Sequence, residues 1–186
     1  MGGRTASAAQ NKSGQIHRQT MRMLIYALVP GETKEDALGH GQYVFDQLTG
    51  VRPGFWPVYD YYVTFDEDGM DVAGADRWGD LPTAVPAQSE QATEWLEAAV
   101  ESANDGFSDA LNTVTDAVDS DSAQDLFTDR QFKRACRKLG RNRGFPHRVY
   151  DQDTTGLITM NRINNIREPD PQADADFWVV PADVHI

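Results

Sequence analysis

The chain has 186 residues and a net charge of −12 at pH 7, from 17 Lys and Arg against 29 Asp and Glu. This length fits one domain, or one domain plus a tail, and a hydrophobic share of 40% allows a packed core. No apolar run is long enough to cross a bilayer. The single cysteine, Cys136, excludes an internal disulfide and a cysteine-based zinc site.

The type of charge indicates the environment of the protein. Asp occurs 21 times and Glu 8 times, whereas Arg occurs 13 times and Lys only 4 times. A folded surface rich in short carboxylates and poor in lysine is typical of adaptation to molar salt. We therefore expect a halophilic protein from a haloarchaeon or its virus, located in a high-salt cytosol or a virion. An ordinary acidic mesophilic protein is the alternative.

Residues 1–20 contain no acidic and no aromatic side chain. This composition predicts a flexible basic arm or an added extension. A single domain is then expected over residues 21–186.

The first part of that domain predicts a β-α-β unit. Residues 23–29 form a short apolar run that predicts a buried strand. Thr33 is a suitable N-cap for a helix that ends near Gly50, and residues 58–65 are rich in the aromatic and β-branched side chains of strands.

Two helices and a final strand are predicted further along the chain. Residues 87–118 repeat apolar side chains at helical spacing and carry acids on the opposite side, and residues 124–139 form a second helix. We expect the acidic and the basic helix to form an αα-hairpin, and a strand to begin at Phe177. The order predicts an α+β fold with a small mixed or antiparallel sheet and helices on one face, compatible with a ferredoxin-like layout.

Residues 130–148 form a basic block in this acidic chain. The block carries eight Arg or Lys and no Asp or Glu; the rest keeps nine basic and 29 acidic residues, a net of −20. At helical spacing Phe132, Cys136 and Leu139 share an apolar side, opposite the basic side chains. The candidate anion- or nucleic-acid-binding residues are Arg130, Lys133, Arg134, Arg137, Lys138, Arg141, Arg143 and Arg148.

Three interpretations of the block remain open. It binds nucleic acid through phosphates, it docks on an acidic surface of a partner protein, or it pairs with the chain's own acids. In the third case a turn near Ser120 places Glu101 beside Leu139 and Asp105 beside Ala135, with Glu97 on the same edge. In molar salt the Debye length is about 3 Å, so only arginines in direct contact with a partner contribute.

A metal centre is a further hypothesis. His147, Asp151, Asp153, Asp183 and His185 could converge as N and O ligands beside the basic block. The i, i+2 acid pairs on which it depends are expected by chance in a chain with 21 Asp. The acidic turn over residues 66–71 is interpreted as a solvated loop.

The aromatic pair Tyr59 and Tyr61 could share one strand face and stack on bases. No phosphate-binding or dinucleotide-binding glycine motif is present.

These patterns favour a non-enzymatic binding protein that holds an anionic partner, nucleic acid or protein, with its arginine-rich helix and loop. The alternatives are a structural component of a larger assembly, such as a viral particle, and a metal-dependent hydrolase or nuclease. We expect no cofactor and no membrane association, and a homo-oligomer or larger assembly is compatible with the sequence.

Overall fold

The elements that carry the candidate site are seen in a computed structural model, which describes residues 22–52, 57–65, 75–140, 148–157, 159–168 and 176–185. The strands are β1 (Arg22–Gly31), β2 (Tyr61–Thr64), β3 (Val85–Pro86), β4 (Val149–Tyr150) and β5 (Asp176–His185). The helices are α1 (Lys34–Leu48), α2 (Ala75–Trp78), α3 (Glu90–Ser120), α4 (Ala123–Thr128), α5 (Arg130–Gly140) and α6 (Met160–Arg167). The predicted arm over residues 1–20 lies outside the described residues.

The strands form one mixed sheet, which confirms the predicted α+β class. β1 and β5 pair antiparallel along their whole length, from Arg22 opposite His185 to Gly31 opposite Asp176. β4 pairs parallel with the other side of β1, while β2 and β3 pair end to end with the other side of β5. β5 therefore lies between the parallel strands β1 and β2, which is the split β-α-β arrangement of ferredoxin-like layouts.

Helices cover both faces of the sheet, so the prediction that they pack on one face is wrong. Met23, Ile25 and alternate residues of β1 pack with α1, whereas Leu24, Tyr26 and Leu28 pack with α3 and α6. The apolar run at residues 23–29 is continuous because both faces of this central strand are buried, which is the pattern of a two-sided strand.

β5 continues through Pro181, although proline has no backbone N–H to donate. At this position the N–H would point into the gap between β2 and β3, where no described strand pairs with β5. Tyr26, which lies opposite Pro181, donates its backbone N–H to Arg148 O at 2.6 Å, on the β4 side. Because Tyr26 directs its N–H away from β5, the backbone nitrogen of Pro181 is directed away from β1, toward the edge of β5 that pairs with β2 and β3. On that edge β2 ends opposite Ala182 and β3 begins opposite Val179. No ladder hydrogen bond is lost at this position.

Helix α1 approaches β5 closely at a glycine. Thr33 caps α1 as predicted, with its side-chain oxygen accepting from Asp36 N at 3.2 Å. A Cβ atom at Gly41 would lie 2.8 Å from Val180 Cβ, which is shorter than a normal contact. Glycine is therefore required for this packing distance.

The long helix α3 and the basic helix α5 form the predicted hairpin, with α4 between them. The 31 residues of α3 span about 46 Å. Its first half packs on the sheet, and Ala110 is its buried residue further along. The predicted single helix over residues 124–139 is in fact α4 and α5, because the Asp129 carboxylate accepts from Gln131 N at 2.6 Å and caps a new helix.

Candidate anion-binding face

Helix α5 is held against α3 through small side chains. Ala110 and Ala135 are both buried and line the same groove between the two helices. Phe132, Cys136 and Leu139, which were predicted to anchor α5, are half-buried beside this contact. Alanines at the contact let two helices approach closely.

The cations of α5 are largely exposed to solvent. Arg130, Lys133, Arg134 and Arg137 are exposed, and Lys138 is half-buried. We name these five side chains the basic face of α5.

The basic face is not neutralised by the acids that were predicted to pair with it. In the described part of the chain the ion pairs are Arg22–Asp183 and Arg52–Asp46, and neither involves α5. The predicted register placed Asp105 beside Ala135, but Ala110 occupies that level of α3. The hairpin is longer than a tight turn at Ser120 allows, because α4 lies between the two helices.

An open groove of about 430 Å³ runs beside the basic face. Arg134, Lys138 and Gln131 line it from α5, and Thr113 and Asp109 line it from α3. Asp109 does not come within ion-pair distance of either cation, since neither forms an ion pair in the described residues. The groove therefore presents two cations, one acid and two polar groups to a ligand.

Local contacts fix part of this surface. Lys133 Nζ lies 5.1 Å from the centre of the Phe127 ring, which is 73% exposed. Such a cation–π contact holds the ammonium in place without neutralising its charge. An exposed phenylalanine and a positioned cation therefore stand side by side at the start of α5.

Arg148, the remaining described member of the basic block, follows α5 in the chain and is not part of this face. Arg148 is half-buried at the start of β4, and its buried Nε atom has no hydrogen-bond partner within the part of the chain that the structure describes. Its charge lies near the hydroxyl groups of Tyr26 and Tyr59. Arg141 and Arg143 lie outside the described residues.

The described members of the proposed metal-ligand set are not brought together. Asp151 follows β4, which ends opposite Ala27, whereas Asp183 lies opposite Leu24 on the far side of β1. Across the described residues no group of three or more His, Cys, Asp or Glu side chains could hold a metal ion. His147 lies outside the described residues, as does the acidic turn over residues 66–71. Asp153 lines a different groove, beside α1.

Asp183 and His185 have structural partners instead. Asp183 is buried and accepts from Arg22 Nη1 at 3.1 Å, and His185 Nε2 lies 2.7 Å from the Tyr61 hydroxyl. These contacts join β1, β2 and β5 at one end of the sheet.

The tyrosine pair predicted to stack on bases is not exposed as a pair. Tyr59 is buried, and its hydroxyl lies 2.8 Å from the Tyr150 hydroxyl. Burial raises the pKa of Tyr59 to about 12 and that of Tyr150 well above its usual value. Tyr61 stacks on His185 with ring centres 4.1 Å apart. Tyr59 therefore presents no exposed ring to bases, and His185 covers one face of the exposed Tyr61 ring.

Sequence reasoning missed one buried cation. Arg167 is 9% exposed at the end of α6, and its guanidinium donates to Thr93 Oγ1 at 2.8 Å. An arginine in a short polar helix gives no sign of burial, because the burial depends on packing against α3.

None of the helices that the structure describes is both long enough and apolar enough to span a membrane.

Comparisons with other proteins give a family but no activity. Searches of curated proteins and of solved structures yield no match. A family model described as a domain of unknown function, DUF7995, matches residues 21–186. The chain therefore belongs to the DUF7995 family.

Proposed function

We propose that this protein is a non-enzymatic binding protein that uses the basic face of α5 to hold an acidic surface of a partner protein. The observation that supports the proposal is the absence of ion pairs between these five cations and any carboxylate in the described residues. Cations that are exposed and not neutralised are available to an anionic partner. Three of the five are arginines, whose planar fork binds carboxylates at two points.

The composition of the hairpin favours a protein partner over nucleic acid. Leu111, Val118 and Phe127 are large apolar side chains left exposed on α3 and α4. Protein interfaces combine apolar side chains with arginine, whereas interfaces with DNA are more polar and much more positively charged.

High salt is part of the same proposal. The excess of Asp over Glu and of Arg over Lys favours a halophilic protein that works in a high-salt cytosol or in a virion. At molar ionic strength charges attract over about 3 Å only, so the arginines must touch the partner. A thermal unfolding temperature that does not rise with KCl concentration would contradict the halophilic assignment.

A defined probe tests the binding proposal. Fluorescence anisotropy in molar KCl would compare a labelled acidic peptide containing leucines with labelled duplex DNA and single-stranded RNA. The peptide should bind the protein, and Arg134→Glu/Arg137→Glu should weaken binding at least about tenfold, since it removes two charge-assisted contacts.

The matched control is Lys34→Glu/Arg162→Glu, which changes the net charge equally at two exposed sites outside α5. This control should leave binding nearly unchanged. Binding of nucleic acid but not of the peptide would replace the proposal with a nucleic-acid-binding function. Equal effects of the two double variants would show that only net charge matters and would refute a role for α5.

A further inference from the structure

A second groove, unrelated to α5, contains a buried cation that has no counter-ion among the described residues. It has a volume of about 410 Å³ and lies between the start of α3 and the end of α6. The groove is lined by Arg167 together with Gln88, Thr93, Glu97, Met160, Asn164 and Glu168. Thr93 and Asp109 lie about 24 Å apart along α3, so this groove and the basic face of α5 are separate sites.

The hydrogen bonds of Arg167 are incomplete. Thr93 accepts one N–H of the guanidinium from Nη2, and the buried Nε has no hydrogen-bond partner among the described residues. No carboxylate of the described residues comes within 4 Å of it, because the ion pairs found there involve other arginines. An arginine keeps its charge at every accessible pH, and a buried charge without an anion is strongly unfavourable. The site is therefore suited to an added anionic group.

The position of Arg167 is fixed by neighbouring contacts. The Gln88 side-chain amide donates to the Arg167 backbone carbonyl, which joins the end of α6 to the residues before α3. Ser89 caps α3 directly beside this contact. The positive end of the α3 dipole therefore lies at the same groove and favours a negative group there.

Two exposed acids line the groove with Arg167. Glu97 and Glu168 contribute negative charge, and Gln88 and Asn164 contribute amide groups. A simple anion would be attracted by Arg167 but repelled by the two glutamates. A ligand with one carboxylate and one ammonium group satisfies both kinds of charge.

We infer that this groove binds a free amino acid, with the carboxylate on Arg167 and the ammonium group near Glu97 and Glu168. The volume lies at the small end of the range for ligand pockets, in keeping with a ligand of this size.

Isothermal titration calorimetry of the whole protein in molar KCl tests the inference. The probes are free amino acids with neutral side chains, with acetate and methylamine as probes that carry one charge each. At least one amino acid should bind saturably, and each single-charge probe should bind at least about tenfold more weakly. Because molar chloride is present in every titration, an amino acid is seen to bind only if it displaces this inorganic anion from Arg167.

Substitutions of the lining residues test which side chains contact the ammonium and the carboxylate of the amino acid. Glu97→Gln/Glu168→Gln should weaken amino-acid binding about tenfold, because it removes the partners of the ammonium group. Glu94→Gln/Glu101→Gln is the control, since it makes the same charge change at exposed positions of α3 that do not line the groove. Arg167→Lys keeps the charge but loses the fork and should also weaken binding, with circular dichroism to show that it folds.

Three results would overturn the inference. No amino acid binds, acetate binds as tightly as the best amino acid, or the two glutamine double variants bind equally. A larger loss of thermal stability in Glu97→Gln than in Glu94→Gln, without amino-acid binding, would show that Glu97 itself is the partner of Arg167.

Discussion

Arg22→Met should destabilise the protein more than Asp183→Asn, although the two residues form one ion pair. Asp183 has a side chain that is 1% exposed, whereas that of Arg22 is 24% exposed. Arg22 Nη1 donates to Asp183 Oδ2, and Asp183 Oδ1 is buried without a hydrogen bond in the described residues. Loss of Arg22 therefore leaves a buried carboxylate with no partner at either oxygen, while loss of the Asp183 charge leaves a cation that reaches water.

The expected losses of stability follow from this difference in burial between the two side chains. Removing one partner of a buried ion pair costs about 3 kcal/mol at the lower end of the measured range, and this value applies to Arg22→Met. Asp183→Asn keeps the size of the side chain and one acceptor, so a loss of about 1 kcal/mol is expected. For a domain of this size the melting temperature should fall by about 6–12 °C and about 2–4 °C, respectively.

Urea unfolding of both variants at one fixed KCl concentration measures the two values. Arg52→Met is the control, because the Arg52–Asp46 pair is largely exposed and its loss should cost at most about 1 kcal/mol. A loss for Asp183→Asn equal to or greater than that for Arg22→Met would refute the reasoning.

Two further predictions concern packing and ionisation. Gly41→Ala should destabilise the protein by about 1–3 kcal/mol, because the new Cβ would lie 2.8 Å from Val180 Cβ. Gly39→Ala in the same helix meets nothing within 4 Å and should stabilise by up to about 1 kcal/mol, so equal effects in urea unfolding would contradict the α1–β5 packing. Burial raises the pKa of Tyr26 and Tyr59 to about 12, whereas the same groups ionise near 10 when unfolded, so stability should be lost between pH 10 and pH 12. Phenolate absorbance and circular dichroism should then change together, and full ionisation near pH 10 without unfolding would contradict the burial.

Features that depend on neighbouring residues could be predicted from the sequence. The apolar run of β1, the Thr33 cap and the spacing of α3 are local patterns, and the structure contains all three elements. The break between α4 and α5 was missed, although Asp129 is a strong N-cap residue and was a readable signal.

Features that depend on distant parts of the chain could not be predicted. Whether α5 meets Asp105 or Ala110 depends on the length of the connection through α4, and a shift of five residues changes which acids lie near the arginines. The burial of Arg167 depends on a contact with Thr93, 74 residues earlier. Sequence spacing within α6 carries no information about such a contact.

The pairing of β1 with β5 sets the order in which the chain can fold during synthesis. β1 is the first described strand and β5 the last, yet they are neighbours along ten residues at the centre of the sheet. Both hydrophobic clusters contain residues of β5, so neither can be completed before residues 176–185 have left the ribosome. Helix α3 can form earlier from local contacts, but the sheet must wait for a contact of high sequence separation, which slows folding. During that interval the edge of β1 that pairs with β5 has no partner strand, and the many carboxylates of the chain help to keep it in solution.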